Sequence, residues 1–419
     1  MSDSVVTGTS RAGAKEIERT HSAAYRWLMV VVLLIAVTTA FFDRINIAVL
    51  FTNADFKHAM GIGNNPAMLG LLMTSFVVAY GISALALSIT SDLFGPRRTL
   101  SMIALLLGVI MAIMGGAASY AMMLVGRVLI GLTEGPQFGS ANVAVKQWFP
   151  PSERGLATAV WGIGAPLGSM IGFPLVIMLV ANYGWRASFY LLAALNILIV
   201  LPTVWFLVQD KPQAAKAAAP DSESMPLGQA IRLLLSNKLF WLLAVYDCSA
   251  MVYLWGLNSW LPAYLQVARH FDIKHSSVFS SLPFLLMIGG YFLGGWLGDK
   301  WRIKAWLCML GMIATGLLVY AASAVGNPTH SALLIALSAG AWGITVPALF
   351  AMGTEVIPPK VTAMGFGIYA GVANIVGALT PVLMGFVIGK SGNYAGGLLV
   401  ITLATVILSF TMIPLLRRH

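Results

Sequence analysis

Twelve apolar runs, each about 20 residues long, recur along this 419-residue chain and leave little room for any other architecture. They cover residues 27–50, 67–90, 99–118, 120–145, 156–181, 187–208, 239–266, 277–298, 304–325, 331–353, 361–388 and 395–416. At 1.5 Å rise per residue, a helix of that length matches the roughly 30 Å hydrocarbon core of a bilayer. Inside a bilayer the backbone must satisfy its own polar groups, so only helices and closed barrels span it. Barrel strands would read as alternating segments of about ten residues, whereas Leu105–Met114 and Leu399–Leu416 are continuous apolar stretches. The expected fold class is an all-α polytopic membrane protein with twelve transmembrane helices.

Composition agrees, with 58% hydrophobic and 10% charged residues against about 25% charged in soluble domains. The net charge of +10 does not point to nucleic acid, because the basic residues are scattered at the ends of apolar runs. They serve better as topology signals. With the N-terminus inside, Arg97, Arg98, Lys146, Arg154, Lys211, Lys216, Arg232, Lys238, Lys300, Arg302, Lys304, Lys360, Arg417 and Arg418 fall in cytoplasmic segments. Only Lys57, Arg186, Arg269, Lys274 and Lys390 fall outside. The bias predicts a multi-pass protein of the inner (plasma) membrane with both termini cytoplasmic. Residues 1–26 read as a cytoplasmic tail without a signal peptide. The most polar interior stretch, 209–238, reads as a linker between six-helix bundles at 27–208 and 239–419.

The halves echo each other. SITSDLFGPRR lies between the second and third runs and GWLGDKWRIK between the eighth and ninth, each an acid at a helix end followed by a basic turn. Two repeats related by a pseudo-twofold axis would give this arrangement.

Four ionisable residues lie inside apolar runs: Asp43 and Arg44 in the first, Arg127 and Glu134 in the fourth. Charge at membrane depth costs about 2.5–3.5 kcal/mol per residue on insertion scales, which marks a functional site. Arg127 and Glu134 are two helical turns apart, about 10 Å along one face. Gly131 shares that face and would let a partner helix or ligand come close. Asp43 and Arg44 lie about 100° apart on their helix and should meet different surroundings. Asp43 is expected in the outer half of the membrane and Glu134 below it, a staggered pair of acids able to pass a proton inward. His21, His58, His270, His275, His330 and His419 all fall in tails or loops. Cys248 and Cys308 form neither a disulfide framework nor a metal spacing. With no nucleophile and base pair, cofactor motif or P-loop, neither an enzyme nor an ATP-driven pump is expected.

SDLFGPRR and GDKWRIK resemble the paired cytoplasmic loop motif of the major facilitator superfamily, although Ser88 replaces its first Gly and the second copy lacks the central Gly. FDRINIAVL, GRVLIGLTEGPQF, QWFPPSERGLA, YGWRASFY and ANIVGALTP are similar to the anion:cation symporter branch, which holds bacterial sugar-acid transporters and relatives of vesicular glutamate carriers. The resemblance implies a proton-coupled symporter importing a small organic anion by alternating access, without a cofactor or metal and as a monomer. It implies substrate contacts from Arg44, Tyr80, Arg127, Asn258 and Asn374, and proton coupling through Asp43 and Glu134. Asp92, Arg97, Arg98, Asp299 and Lys300 would be structural latches between the bundles at the cytoplasmic side. Packing remains the alternative for Arg127 and Tyr80, and also for Trp161, Trp255 and Trp342.

Two departures bear on the substrate. Sugar-acid members tend to carry Gln near Ala165 and Asn near Ala370, and Asp247 stands where a Gln is common. The foremost expectation is a hexuronate, aldonate or aldarate. The alternatives are an aromatic or short-chain carboxylate, and an exchanger or effluxer of the same fold.

Overall fold

The computed structural model describes residues 23–87, 90–210, 227–301, 303–358 and 362–416, and every regular element among them is helical. Ser88, Lys211, Lys216, Arg302, Lys360, Arg417 and Arg418 lie outside the described residues, as do most of the expected tail and part of the linker. Eleven helices are long and apolar enough to cross a membrane. They are α1 (Ala24–Thr52), α2 (Pro66–Ala86), α3 (Pro96–Gly115), α5 (Ser152–Tyr183), α6 (Trp185–Leu207), α7 (Lys238–Ala268), α8 (Ile273–Trp301), α9 (Lys304–Ala324), α10 (Pro328–Val356), α11 (Gly365–Ser391) and α12 (Tyr394–Leu415). Asparagine caps open several of them, as Asn65 does for α2, Asn237 for α7, Asn327 for α10 and Asn393 for α12, each accepting from an N–H of the first turn.

The expected fourth span is interrupted. It runs as α4a (Tyr120–Glu134, 15 residues) and α4b (Gln137–Trp148, 12 residues), separated at Gly135–Pro136. Pro136 has no N–H, so the Leu132 carbonyl loses its partner one turn on. The Ser83 hydroxyl of α2 donates to that carbonyl at 2.5 Å. Gly135 permits the approach, since a Cβ there would lie 2.4 Å from Ser83 Oγ. The break is thus stitched to α2 immediately beside Glu134.

Helix pairing repeats with a shift of six. In the first half α1 packs on α5, α2 on α4a and α3 on α6; in the second α7 packs on α11, α8 on α10 and α9 on α12. The halves meet through α2 with α11, α5 with α8 and α1 with α7. Glycines make the first of these contacts intimate: a Cβ on Gly70 would sit 2.2 Å from the Pro381 carbonyl oxygen, and one on Gly385 2.4 Å from that of Pro66. Phe173 of α5 stacks on Phe284 of α8 at 5.6 Å, Phe51 meets Trp260 at 5.0 Å, and Thr52 donates to Gln266 at 2.8 Å. All of these lie toward the end that holds the C-terminus of α1 and the N-terminus of α2. Toward the opposite end, α4b and the first turns of α5 pack chiefly on α1, α3 and each other, within the first half. The contacts that join the halves most intimately are thus gathered at one end; toward the other, α2 still meets α11, where a Cβ on Gly371 would lie 3.2 Å from Leu85.

Candidate functional site

Asp43, Arg44, Arg127 and Glu134 converge in the first half with exposures of 0, 3, 1 and 0%. Their formal charges sum to zero, which is what allows four ionisable groups to be buried together. Arg44 Nε donates to Glu134 Oε2 at 2.5 Å. The Arg44 guanidinium also lies against the rings of Phe41 at 4.4 Å and Tyr80 at 4.6 Å, with Phe76 and Phe138 farther out. Cation–π contacts of this kind strengthen when desolvated. Arg44 Nη2 and Glu134 Oε1 have no partner, so the pair is bonded through one edge of each group. A carboxylate prefers two parallel N–H contacts from a guanidinium, and a free edge of that kind is what an incoming carboxylate would use.

Arg127 is placed otherwise. It donates from Nε to the Leu72 carbonyl at 3.1 Å, from Nη1 to the Asp43 carbonyl at 3.3 Å and from Nη2 to the Arg44 carbonyl at 3.4 Å. Met73 Sδ takes a further contact, and the Phe76 ring covers the guanidinium at 4.6 Å. Backbone acceptors thus occupy most of its five N–H groups, and in this conformation Arg127 fastens α4a to α1 and α2. Gly131 makes that packing possible, because a Cβ there would stand 2.3 Å from the Phe76 carbonyl oxygen.

Asp43 faces away from Arg44, as their angular separation on the helix predicts. Its Oδ2 accepts from Asn196 Nδ2 of α6 at 2.8 Å, while its Oδ1 is buried without a partner. The sequence reading passed over Asn196. The available signal was an amide at membrane depth six residues before a proline, in NILIVLP.

The second half contributes amides and aromatics. Asn258 of α7 accepts from Ser169 of α5 at 3.3 Å, a bond between the halves, and donates to its own helix at Leu254. Asn374 of α11 accepts from Trp255 Nε1 at 3.1 Å and donates to the Ala370 carbonyl. Trp255 reaches Phe76 edge-on at 6.0 Å, which brings α7 level with the Arg44 box. Tyr80, Asn374, Ala165 and Ala370 are half-buried. Trp342 donates to the Ala250 carbonyl and stacks on Tyr253, a packing role; Trp161 meets Phe138 edge-on. Asp247 is buried on α7, the helix that also carries Trp255 and Asn258.

Two of the loop residues have contacts beside their own helices. Arg97 donates its backbone N–H to Asp210 at 3.0 Å and lays its guanidinium over Trp205 at 4.5 Å, both in the first half. Lys300 covers Trp296 of its own helix. Asp92 falls on the short helix Thr90–Phe94, and its side chain lies outside the described set. Ion pairs among the described residues near the same helix ends include Arg26 with Glu153 at 3.6 Å and Lys304 with Glu355, each within one half.

Two repeated helical bundles, the first holding a buried, charge-balanced cluster, are the arrangement of a membrane transporter. The chain belongs to the Major Facilitator Superfamily, whose family model matches residues 33–381. Among its curated relatives, Probable sulfoacetate transporter SauU of Cupriavidus necator is 27% identical over 380 residues, 85% of each chain. The Hexuronate transporter of Bacillus subtilis is 26% identical over 367 residues, 83% of this chain and 86% of its own. These relatives agree with the resemblance to the anion-carrying branch. The D-xylose-proton symporter superposes with a TM-score of 0.78 at 12% identity, covering 93% of this chain and 97% of its own. An inward-facing, occupied bacterial homolog of human lysosomal Spinster gives 0.77 at 19%, covering 95% and 98%. At such identities the structures speak for the fold alone.

Proposed function

We propose that this protein imports a small organic anion together with protons by alternating access between its two six-helix halves. The carrying observation is that Arg44 has Glu134 as its one carboxylate partner among the described residues, inside a cluster of zero formal charge. A substrate carboxylate entering that box would leave one negative charge uncompensated in a medium of low dielectric. A proton on Glu134 removes the excess and frees Arg44 Nε for the anion. Substrate and proton then favour each other's binding, which is the thermodynamic content of symport. Asp43, with one oxygen unpartnered, is the second acid of the relay.

With both termini in the cytoplasm, the end sealed at Gly70 and Gly385 faces outward from the inner membrane. Arg44 is the primary anion contact, with Tyr80, Asn374 and Asn258 around it and Arg127 holding the floor from which Arg44 projects. The relatives named for hexuronate and sulfoacetate support an anionic substrate, and a sugar acid such as a hexuronate, aldonate or aldarate stands first. An aromatic or short-chain carboxylate is the second reading, favoured by Ala165 and Ala370 and by the rings of Phe76, Tyr80, Phe138 and Trp255 near Arg44.

The test uses purified protein in proteoliposomes. Glu134→Gln should lose uphill, pH-driven uptake of glucuronate yet retain counterflow, since the amide keeps the shape and cannot cycle a proton. Undiminished accumulation by this variant removes Glu134 from the coupling. Competition of glucuronate with galactonate and with benzoate then separates the substrate readings, because a site that hydrogen-bonds hydroxyls discriminates sharply against ligands lacking them.

A further inference from the structure

Helix α6 carries a defect whose position is informative. Residues Asn196–Val200 form a π-helical turn in which the Asn196 carbonyl accepts from the Leu201 N–H five residues on. Pro202 accounts for it locally: without an N–H it cannot bond the Leu198 carbonyl, and its ring would crowd that carbonyl in a regular helix. Single π turns of this kind recur at functional sites. Here the wide turn begins at the residue that touches Asp43.

The Asn196 side chain is 1% exposed and spends both N–H groups, one on Asp43 Oδ2 at 2.8 Å and the other on the Leu192 carbonyl at 3.0 Å. The bond to Leu192 fixes the amide orientation, because a flipped amide would set an oxygen against a carbonyl and against the carboxylate. The group facing Asp43 is therefore a permanent donor. Other charged groups near Asp43 are Arg44 on its own helix and Arg127 and Glu134 on α4a. Arg127 contacts the Asp43 carbonyl, not its carboxylate, and Arg44 is engaged with Glu134. Asn196 is thus the one side chain hydrogen-bonded to the Asp43 carboxylate among the described residues.

We infer that Asn196 is a positioning residue for Asp43: its fixed N–H donor favours the ionised carboxylate over the protonated one and so helps set the pH at which that carboxylate takes up a proton. A donor fixed on a carboxylate favours the charged form, so removing the donor favours the protonated one. This inference rests on the proposed role of Asp43 in coupling, and the experiment separates the two.

The readout is infrared difference spectroscopy of the full chain in membranes, titrated with pH and without substrate. The C=O stretch of the protonated Asp43 carboxyl is identified by its loss in Asp43→Asn. In Asn196→Leu that band should grow in at a pH about one unit higher than in the parent, a tenfold gain in proton affinity. Asn196→Gln, which keeps a donor, should fall between them; a space-filling role would make Leu the better substitute and leave the midpoint alone. If Asn196→Leu does not fold, Asn196→Ala is titrated in its place. An unchanged midpoint in folded donor-less protein overturns the inference. A raised midpoint, with proton-driven glucuronate uptake surviving in Asp43→Asn, upholds the positioning role and overturns only the coupling role of Asp43.

Discussion

Arg127 shows how a buried guanidinium can be absorbed by the backbone. From the sequence, four intramembrane charges were legible, and so was the spacing of Arg127 and Glu134. Their partners were not. Which acid meets which base depends on the crossing of α1 over α4a, which places Arg44 against Glu134 and leaves Arg127 among carbonyls. The two arginines should consequently fail in different ways. Arg127→Ala should lower stability by at least about 2 kcal/mol, since charge-assisted bonds to three carbonyls vanish, and thermal unfolding in detergent should show it. Arg127→Lys should restore only part of the loss, because a single ammonium cannot reproduce the fork. Arg44→Ala should abolish glucuronate binding, whereas Arg127→Ala should weaken it only through the loss of packing. A parent-like midpoint for Arg127→Ala, combined with lost binding, would return Arg127 to direct recognition.

At the scale of the helix, the apolar runs located eleven of the spans to within a few residues, because length and hydropathy alone decide whether a segment can cross. The fourth run conceals its break, since Gly135 and Pro136 barely lower its hydropathy and the repair comes from Ser83 on another helix. Ser83→Ala should cost about 1–3 kcal/mol by leaving the Leu132 carbonyl unsatisfied in an apolar setting, whereas Ser75→Ala, whose hydroxyl bonds only its own helix at Leu72, should cost less. Comparing the two unfolding midpoints checks the stitch, and equal losses would refute it. Outside the membrane, the Asp272 carboxylate accepts from the backbone N–H of His275 and pairs with its ring, which holds its pKa below the ordinary carboxylate value. A depressed carboxyl contributes above its unfolded pKa of about 3.9 and loses that contribution as pH falls through the folded value. The first turn of α8 should therefore exchange its amides faster, after correction for intrinsic rates, in strong acid but not at mildly acidic pH. Asp272→Asn should flatten that dependence.

For the whole molecule, closure at one end rests on backbone-close contacts at Gly70 and Gly385. Gly70→Val cannot keep its approach to Pro381 without moving α2 from α11, so the population should shift toward the state open at that end. With Gln266→Cys as reporter, labelling by an impermeant maleimide should accelerate in the Gly70→Val background, and unchanged labelling would mean that other contacts hold the seal.

The ionisable cluster belongs to α1 and α4a alone, while the facing α7 and α11 offer amides and rings. On the proposed mechanism the charges of that cluster lie wholly in the first half, while the second half adds amides and rings from α7 and α11. Under that mechanism the protein is modular to selection: α7 and α11 can drift toward a new cargo without touching the ionisable cluster, and an engineer seeking altered cargo would begin in the half that carries no part of it.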